Sequence, residues 1–409
     1  FFKRYRYLGC AGRATWERRR MDQHSSAMAV IDGVAVPACF PAAPVLIGSE
    51  VYRHSIYGRR HPLSIARVSV TLDLITALGW QDPAGYIDSP LASADALARF
   101  HTPEYIAAIM DAEATGQVAP EVSERFNIGR NGNPVFPEIF RRPATAAGAS
   151  ILAAQMLAGV AGGTVYSPAG GTHHGRADQA SGFCYFNDPV LAILTLRDAG
   201  IGPILYVDLD AHHGDGVEAA FVSDEQVLTV SIHEEGRWPG TGKRGERAGG
   251  AARNLPVPVD INDSELAFLI AEAVLPLAQR WRPAALVLQT GVDALADDPQ
   301  SKLTLSNGAI WAAVRELLRS APRRLVVGGG GYNPWAVARA WTGIWGVIAG
   351  HTPPSGPLPP AAEAVLRGLT WNHSRGRNPP DHWFTTLADA PRPGPIRPAV
   401  EDLAAEVLA

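Results

Sequence analysis

Residues 204–216 read Ile204-Leu-Tyr-Val-Asp-Leu-Asp-Ala-His-His-Gly-Asp-Gly. A short apolar run here feeds directly into Asp208, Asp210, His212, His213 and Asp215, five titratable groups within eight positions. A strand that empties into a polar cluster is how the carboxyl edge of a parallel α/β sheet reads, and ligands bind at that edge. Carboxylates packed so densely repel one another unless a cation or strong donors are supplied, so the cluster argues for a metal ion. At period two, Asp208, Asp210 and His212 point the same way. Hard and borderline ligands of this kind suit zinc or iron(II).

The pattern around this stretch is consistent with it. Apolar runs at Gly163–Tyr166, Ile204–Leu209, Val227–Ile232, Ala285–Gln289 and Leu325–Val327 predict strands, and most lead into Gly, His or Asp. Between them, segments of helical period cover Leu63–Leu78, Ala144–Ala158, Asp188–Asp198, Ser264–Gln279, Asn307–Leu318 and Pro334–Ala349, several opening on a capping Asp, Ser or Asn or an early Pro. This alternation predicts the α/β class: a single three-layer α/β/α domain with a central, mostly parallel sheet. The domain is expected over 45–370. Residues 371–409 are Pro- and Arg-rich and read as a loosely attached tail ending in a short helix. Residues 1–44 read as an N-terminal extension, poorly ordered. Its first 20 positions carry seven basic side chains and one acidic, and the expected start of the protein is Met21 or Met28.

Composition narrows the function. With 409 residues, 46% of them hydrophobic, the chain can bury a large core. A formal charge of −4 is too near neutral for a general polyanion binder, so nucleic acid is not the expected partner. Cys10, Cys39 and Cys184 have no paired spacing, which fits a reducing compartment, and no run is apolar and long enough to span a membrane. A cytoplasmic enzyme is the expectation.

Three further clusters follow predicted strands. Asp293, in Gly291-Val-Asp-Ala-Leu-Ala-Asp-Asp-Pro, supplies a third ligand to Asp210 and His212. An Asp2His set leaves a coordination position open, the mark of a catalytic rather than a structural ion. His173 and His174, in Gly170-Gly-Thr-His-His-Gly-Arg, can serve as base and acid when Asp208 and Asp215 orient them and separate their pKa values. Tyr332, after the glycine run 328–331, can donate to a developing oxyanion. That run lacks the spacing and lysine of a phosphate-binding loop. His54, His61, His101, His351 and His373 have no such setting and read as structural or surface groups.

Together these motifs resemble the histone deacetylase family of the arginase-deacetylase superfamily, in particular its bacterial acetoin-utilisation and acetylpolyamine-amidohydrolase members. The resemblance spans roughly Val45 to Leu369 and rests on Gly171-Thr-His-His-Gly-Arg, Ser181-Gly-Phe-Cys-Tyr-Phe-Asn-Asp, Tyr206-Val-Asp-Leu-Asp-Ala-His-His-Gly-Asp-Gly-Val, Thr229-Val-Ser-Ile-His and Gly328-Gly-Gly-Gly-Tyr-Asn. It implies zinc on Asp210, His212 and Asp293, with iron(II) as the other ion such a site takes. His174 becomes general base and then acid, His173 its electrostatic partner, Asp208 and Asp215 their supports, and Tyr332 the carbonyl-polarising group. Gly182, Phe183, Trp238 and Gln300 are implied in substrate binding, and Arg67 beneath the metal in a cavity for acetate. A structural potassium ion is implied on Asp208, Asp210, His212, Ser231 and Ile232, largely through main-chain oxygens.

Two departures bear on substrate. Asn131 and Gly132 stand where the family carries a rim aspartate that anchors peptide backbone, and Gln300 stands where an aliphatic residue is common. The expected activity is deacetylation of acylated lysine or a related amine. Hydrolysis of acetylpolyamines or other small amides by the same machinery is the alternative. Arginase-like chemistry needs further metal ligands that the sequence does not offer.

Overall fold

The computed structural model describes residues 28–31, 34–37, 43–58, 60–354 and 356–409. Most of the expected N-terminal extension, 1–44, lies outside them. Eight strands form the main sheet: β1 Val45–Gly48, β2 Tyr86–Asp88, β3 Gly163–Ser167, β4 Ile204–Asp208, β5 Val227–Glu234, β6 Ala252–Val257, β7 Ala285–Gln289 and β8 Arg323–Val327. Their spatial order is β2-β1-β3-β8-β7-β4-β5-β6, with every pairing parallel. A separate antiparallel pair, Met28–Ile31 with Val34–Pro37, lies outside this sheet.

The register matters more than the strand count. Ser167 pairs with Val327, Val327 with Gln289, Gln289 with Asp208, and Asp208 with Ser231. Four strands therefore end on one row, β5 runs three residues past it to Glu234, and the chemistry-bearing clusters leave the sheet side by side.

Side chains alternate across the strands, as period two demands. Val45, Val165, Ile204, Tyr206, Val287 and Leu325 bury on one face against helices α2 (Arg141–Ala158) and α3 (Asp188–Asp198). Leu46, Tyr166, Leu205, Val207, Leu286, Leu288 and Val326 bury on the other. That second face is covered by helix α1 (Val68–Ala77), α4 (Asn307–Leu317), α5 (Pro334–Ala349) and α6 (Pro398–Leu408). Each fully buried aliphatic side chain contributes about 1.5–3 kcal/mol. Among the described residues, no helix is long and apolar enough to cross a membrane.

Helix starts follow local chemistry. Asn333 accepts from the backbone of Trp335 and Ala336, with Pro334 at the first helical position, and Asn187 caps Val190 in the same way. Two expected helices are broken. Over Leu63–Leu78 a short 3-10 turn, Pro62–Ser64, precedes α1, and Arg67 sits at the break with φ −127°. Over Ser264–Gln279 the helix passes through a π-helical turn at Ile270–Val274.

The C-terminal segment corrects the expectation of a loose tail. Trp383, Leu387, Val400, Leu403 and Val407 are buried in the main core, and Arg397 grips the buried Glu265 carboxylate with two nitrogens, at 2.5 and 2.7 Å. The Pro and Arg content that suggests a linker instead shapes an extended strap that delivers the amphipathic α6 to the sheet.

Candidate active site

The site is built from the loops that leave β3, β4, β5, β7 and β8. After β4 the chain bends so that Asp210 and His212 face Asp293, delivered by the loop after β7. One ligand atom of each lies within 4.8 Å of the others, and all three residues are buried. His212 Nδ1 is 2.8 Å from Asp293 Oδ2 and 3.1 Å from Asp210 Oδ1. Backbone donors hold the carboxylates: Gly330 N–H donates to Asp210 Oδ2 at 2.6 Å, and Ala211 N–H to Asp293 Oδ1 at 2.9 Å. Burial and the neighbouring Asp210 charge push the Asp293 carboxyl upward, which is the penalty of two acids sharing a dry site. A divalent cation removes that penalty, so the donor set fits one.

Two histidine-carboxylate pairs flank this triad. His173 Nδ1 meets Asp208 Oδ2 at 2.7 Å, and His174 Nδ1 meets Asp215 Oδ1 at 2.7 Å. An ionised carboxylate only accepts, so each Nδ1 carries the proton and each Nε2 is left to the site. The rings lie 4.0 Å apart, yet their environments differ. Burial opposes charge on His173, but the Asp208 and Asp210 carboxylates outweigh it and hold its pKa near about 9. Burial, and then the charge on His173, depress His174 to about 3, despite Asp215. The two supports are themselves anchored. Asp208 also accepts from Tyr206 Oη at 2.6 Å and from the Asp210 backbone at 3.0 Å, and Asp215 pairs with Arg176.

Tyr332 follows the glycine run after β8. Burial and the Asp293 and Asp210 carboxylates keep its phenol protonated, well above the ordinary range. Phe183 packs across from it, with ring centroids 6.1 Å apart. Trp238, 49% exposed, stands edge-on to His174 at 4.7 Å. Between them Gly182 has φ 54°, and a Cβ there would come within 2.5 Å of both His174 Cδ2 and the Trp238 ring. Only glycine lets that backbone pass. Arg67 lies beneath, donating to the carbonyls of Gly329 at 2.8 Å and Gly331 at 3.4 Å and stacking on Trp341.

Other expected positions are more peripheral. Gln300 is half-buried at the loop after β7, its backbone N–H donating to Asp298 at 2.8 Å. Asn131 is exposed at the rim with φ 49°, and its amide donates to Asn127. Ser231 and Ile232 lie on β5 beside Asp208. His213 serves structure, bonding Thr241 at 2.8 Å and Glu218 at 3.1 Å. Among the histidines read as structural, His61 reaches the site's edge. Its ring stands against Phe183 at 4.5 Å and bonds the Gly132 carbonyl at 2.9 Å.

Three residues escaped the sequence reading. Asp188 is fully buried and accepts from Ser150 Oγ at 2.6 Å and from the backbone of Gly171 and Thr172 at 2.9 and 2.8 Å, fixing the loop that carries both histidines. Its position in the Ser181–Asp188 motif was the available signal. Asp298 accepts from the Tyr332 backbone. Arg142, on α2, reaches the cavity beneath the site.

The histone deacetylase domain matches residues 61–348 of this chain. The chain is 33% identical over 329 residues to the acetoin utilization protein AcuC of Bacillus subtilis (strain 168), spanning 76% of this chain and 84% of that protein. It is 36% identical over 293 residues to histone deacetylase 8 of Xenopus tropicalis, spanning 70% and 79%. The structure of an HDAC homolog from Aquifex aeolicus matches it with a TM-score of 0.85 at 34% identity, over 90% of this chain and 100% of that one. An HDAC homolog complexed with SAHA matches with the same values.

Proposed function

Since the chain belongs to the histone deacetylase family, we propose that it is a zinc-dependent hydrolase that cleaves the amide of an N-acetylated lysine or a related acylated amine and releases a carboxylate. The observation that carries this reading is the meeting of Asp210, His212 and Asp293 within 4.8 Å, beside two histidine-carboxylate pairs and a buried phenol.

Asp210, His212 and Asp293 would hold the zinc ion. When bound, it supplies a Lewis acid that polarises the amide carbonyl and acidifies water. His174, neutral and held by Asp215, takes the proton of the attacking water on Nε2. Tyr332 Oη donates to the oxygen that gains negative charge, and His173 adds its positive charge nearby. His174 then returns the proton to the departing nitrogen. Phe183 and Trp238 line the approach, and Gly182 sets the backbone close to the reacting group. Arg67 holds the released carboxylate below. Carbonyls of Asp208, Asp210 and His212, with Ser231 and Ile232 on the adjacent strand, would hold a structural potassium ion.

Asn131 at the rim and Gln300 near the mouth support a second reading, a small acylated amine such as an acetylpolyamine in place of a peptide. Turnover of an acetyl-lysine peptide against acetylated putrescine by the zinc-loaded protein separates the two. No release of acetate from either would overturn the assignment.

A further inference from the structure

The cavity beneath the candidate metal site has a charge composition that acetate alone does not explain. It is lined by Arg67 and Arg142, with Tyr52, Tyr57, Gly329 and Tyr332 around them. Among the described residues, neither arginine has a carboxylate within ion-pair distance. Arg67 Nη1 is spent on the carbonyls of Gly329 and Gly331, while its Nε is buried without a partner. Arg142 is 7% exposed, donates Nη1 to the Ser55 carbonyl at 2.5 Å, and faces the rings of Tyr57 at 5.2 Å and Tyr52 at 5.4 Å. The Tyr52 hydroxyl, on a residue 6% exposed, has no partner either.

A buried guanidinium without an acid is costly, and here two share one cavity. The carboxylate that lines the same cavity is Asp210, which the metal site claims. Guanidinium groups match carboxylates in shape and charge, and phenol and Nε donors complete such a seat. The cavity is continuous with the space lined by His174, Gly182 and Phe183, and together they enclose about 50 Å³, room for several water-sized groups. Its connection to the site is short: Arg67 binds the carbonyls of Gly329 and Gly331, the residues on either side of the Gly330 that donates to Asp210.

We propose that this cavity seats a carboxylate at the far end of the acyl group, so that the protein prefers acyl chains of malonyl or succinyl size over neutral ones. The inference rests on the hydrolase reading above and specifies its substrate. In the reaction, water adds across the amide: a C–O bond forms, the C–N bond breaks, the amine takes the proton, and a dicarboxylate leaves. Its new carboxylate is the one made at the metal site, and its second lies between Arg67 and Arg142.

The test compares kcat/KM of the zinc-loaded protein on lysine peptides carrying acetyl, butyryl, malonyl or succinyl groups. The expected result is a preference of tenfold or more for malonyl or succinyl over butyryl. In Arg142→Met that ratio should fall at least tenfold, and Arg142→Lys, which keeps a cation, should restore part of it. A purely structural role for Arg142 would lower all four substrates together. Butyryl turned over as well as the acidic groups, or a ratio unmoved in a folded Arg142→Met protein, overturns the proposal. Should Arg142→Met fail to fold, the wild-type preference and Arg142→Lys decide. If no acyl peptide is turned over, the hydrolase reading fails, and calorimetric titration with succinate against butyrate still tests the seat. Succinate binding tenfold more tightly supports it, and equal binding refutes it.

Discussion

The buried Asp298 carboxylate accepts a 2.6 Å hydrogen bond from the backbone N–H of Tyr332. Its other oxygen accepts the Gln300 N–H at 2.8 Å. The loop after β7, which carries the proposed ligand Asp293, is thus tied to the loop after β8, which carries the phenol. Asp298 is a positioning residue: it sets where Tyr332 stands relative to Asp293.

Asp298→Ala should therefore lower kcat by about 10–100-fold, the range typical of groups that orient a metal site from outside it. KM should change less, and Asp298→Asn, which keeps an acceptor for one N–H, should recover part of the loss. Steady-state kinetics with metal content measured alongside check this. A loss of metal in step with activity would mean that the loop has collapsed instead.

Tyr332→Phe removes one donor to the developing charge and should cost about 10²–10³ in kcat while zinc stays bound. Asp210→Ala should lose zinc and activity together. Metal analysis of both purified variants, paired with a deacetylation assay, distinguishes the roles. Zinc retained at full stoichiometry in Asp210→Ala would contradict the ligand assignment.

Gly182→Ala places a methyl group 2.5 Å from His174 and from Trp238, on backbone with φ 54°. The Trp238 ring is exposed and can yield, but His174 is fixed by Asp215. The variant should lose at least tenfold in kcat/KM, since a displacement of about 1 Å near the chemistry costs about 10²-fold. A wild-type rate would show that the loop relaxes without moving His174.

Stability should fall as the pH drops below the ordinary histidine range. Burial depresses His101 from 6.5 to about 4 and His233 from 6.5 to about 3. The Asn187 backbone N–H donates to His101 Nε2 at 2.9 Å, so a second proton would break that bond. Above pH ~6.5 both states hold these rings neutral and nothing is lost. Below it the unfolded chain takes up protons that the folded chain refuses, costing about 1.4 kcal/mol per pH unit for each ring until its folded pKa is reached. Chemical denaturation at pH 7.5 and pH 5 measures the drop, and His101→Gln should reduce it. An undiminished drop in that variant would assign it to other groups.

The central strands were legible because β-branched and apolar runs, buried on both faces, announce themselves. The edge strands were not. Ala252–Val257 contains Arg253, Asn254 and Pro256, which an outer strand tolerates because one side of its backbone needs no partner. Tyr86–Asp88 is too short to show a period. The meeting of Asp210, His212 and Asp293 and the histidine-carboxylate pairs were readable because their residue types are costly to bury without purpose. Arg142 and Asp298 were hidden for the opposite reason. A charged residue inside a helix or before a proline is ordinary in sequence, and it becomes informative only when folding brings it beside groups far along the chain.

The row on which four strands end gathers residues that are far apart along the chain. Ala211 and Asp293, which hydrogen-bond across the candidate metal site, are 82 positions apart, and Asp210 and Gly330 are 120 apart. The proposed cation seat therefore cannot be complete until β8 has slotted between β3 and β7. A fragment that stops short of β8 would lack the Gly330 donor to Asp210, and with it the complete seat.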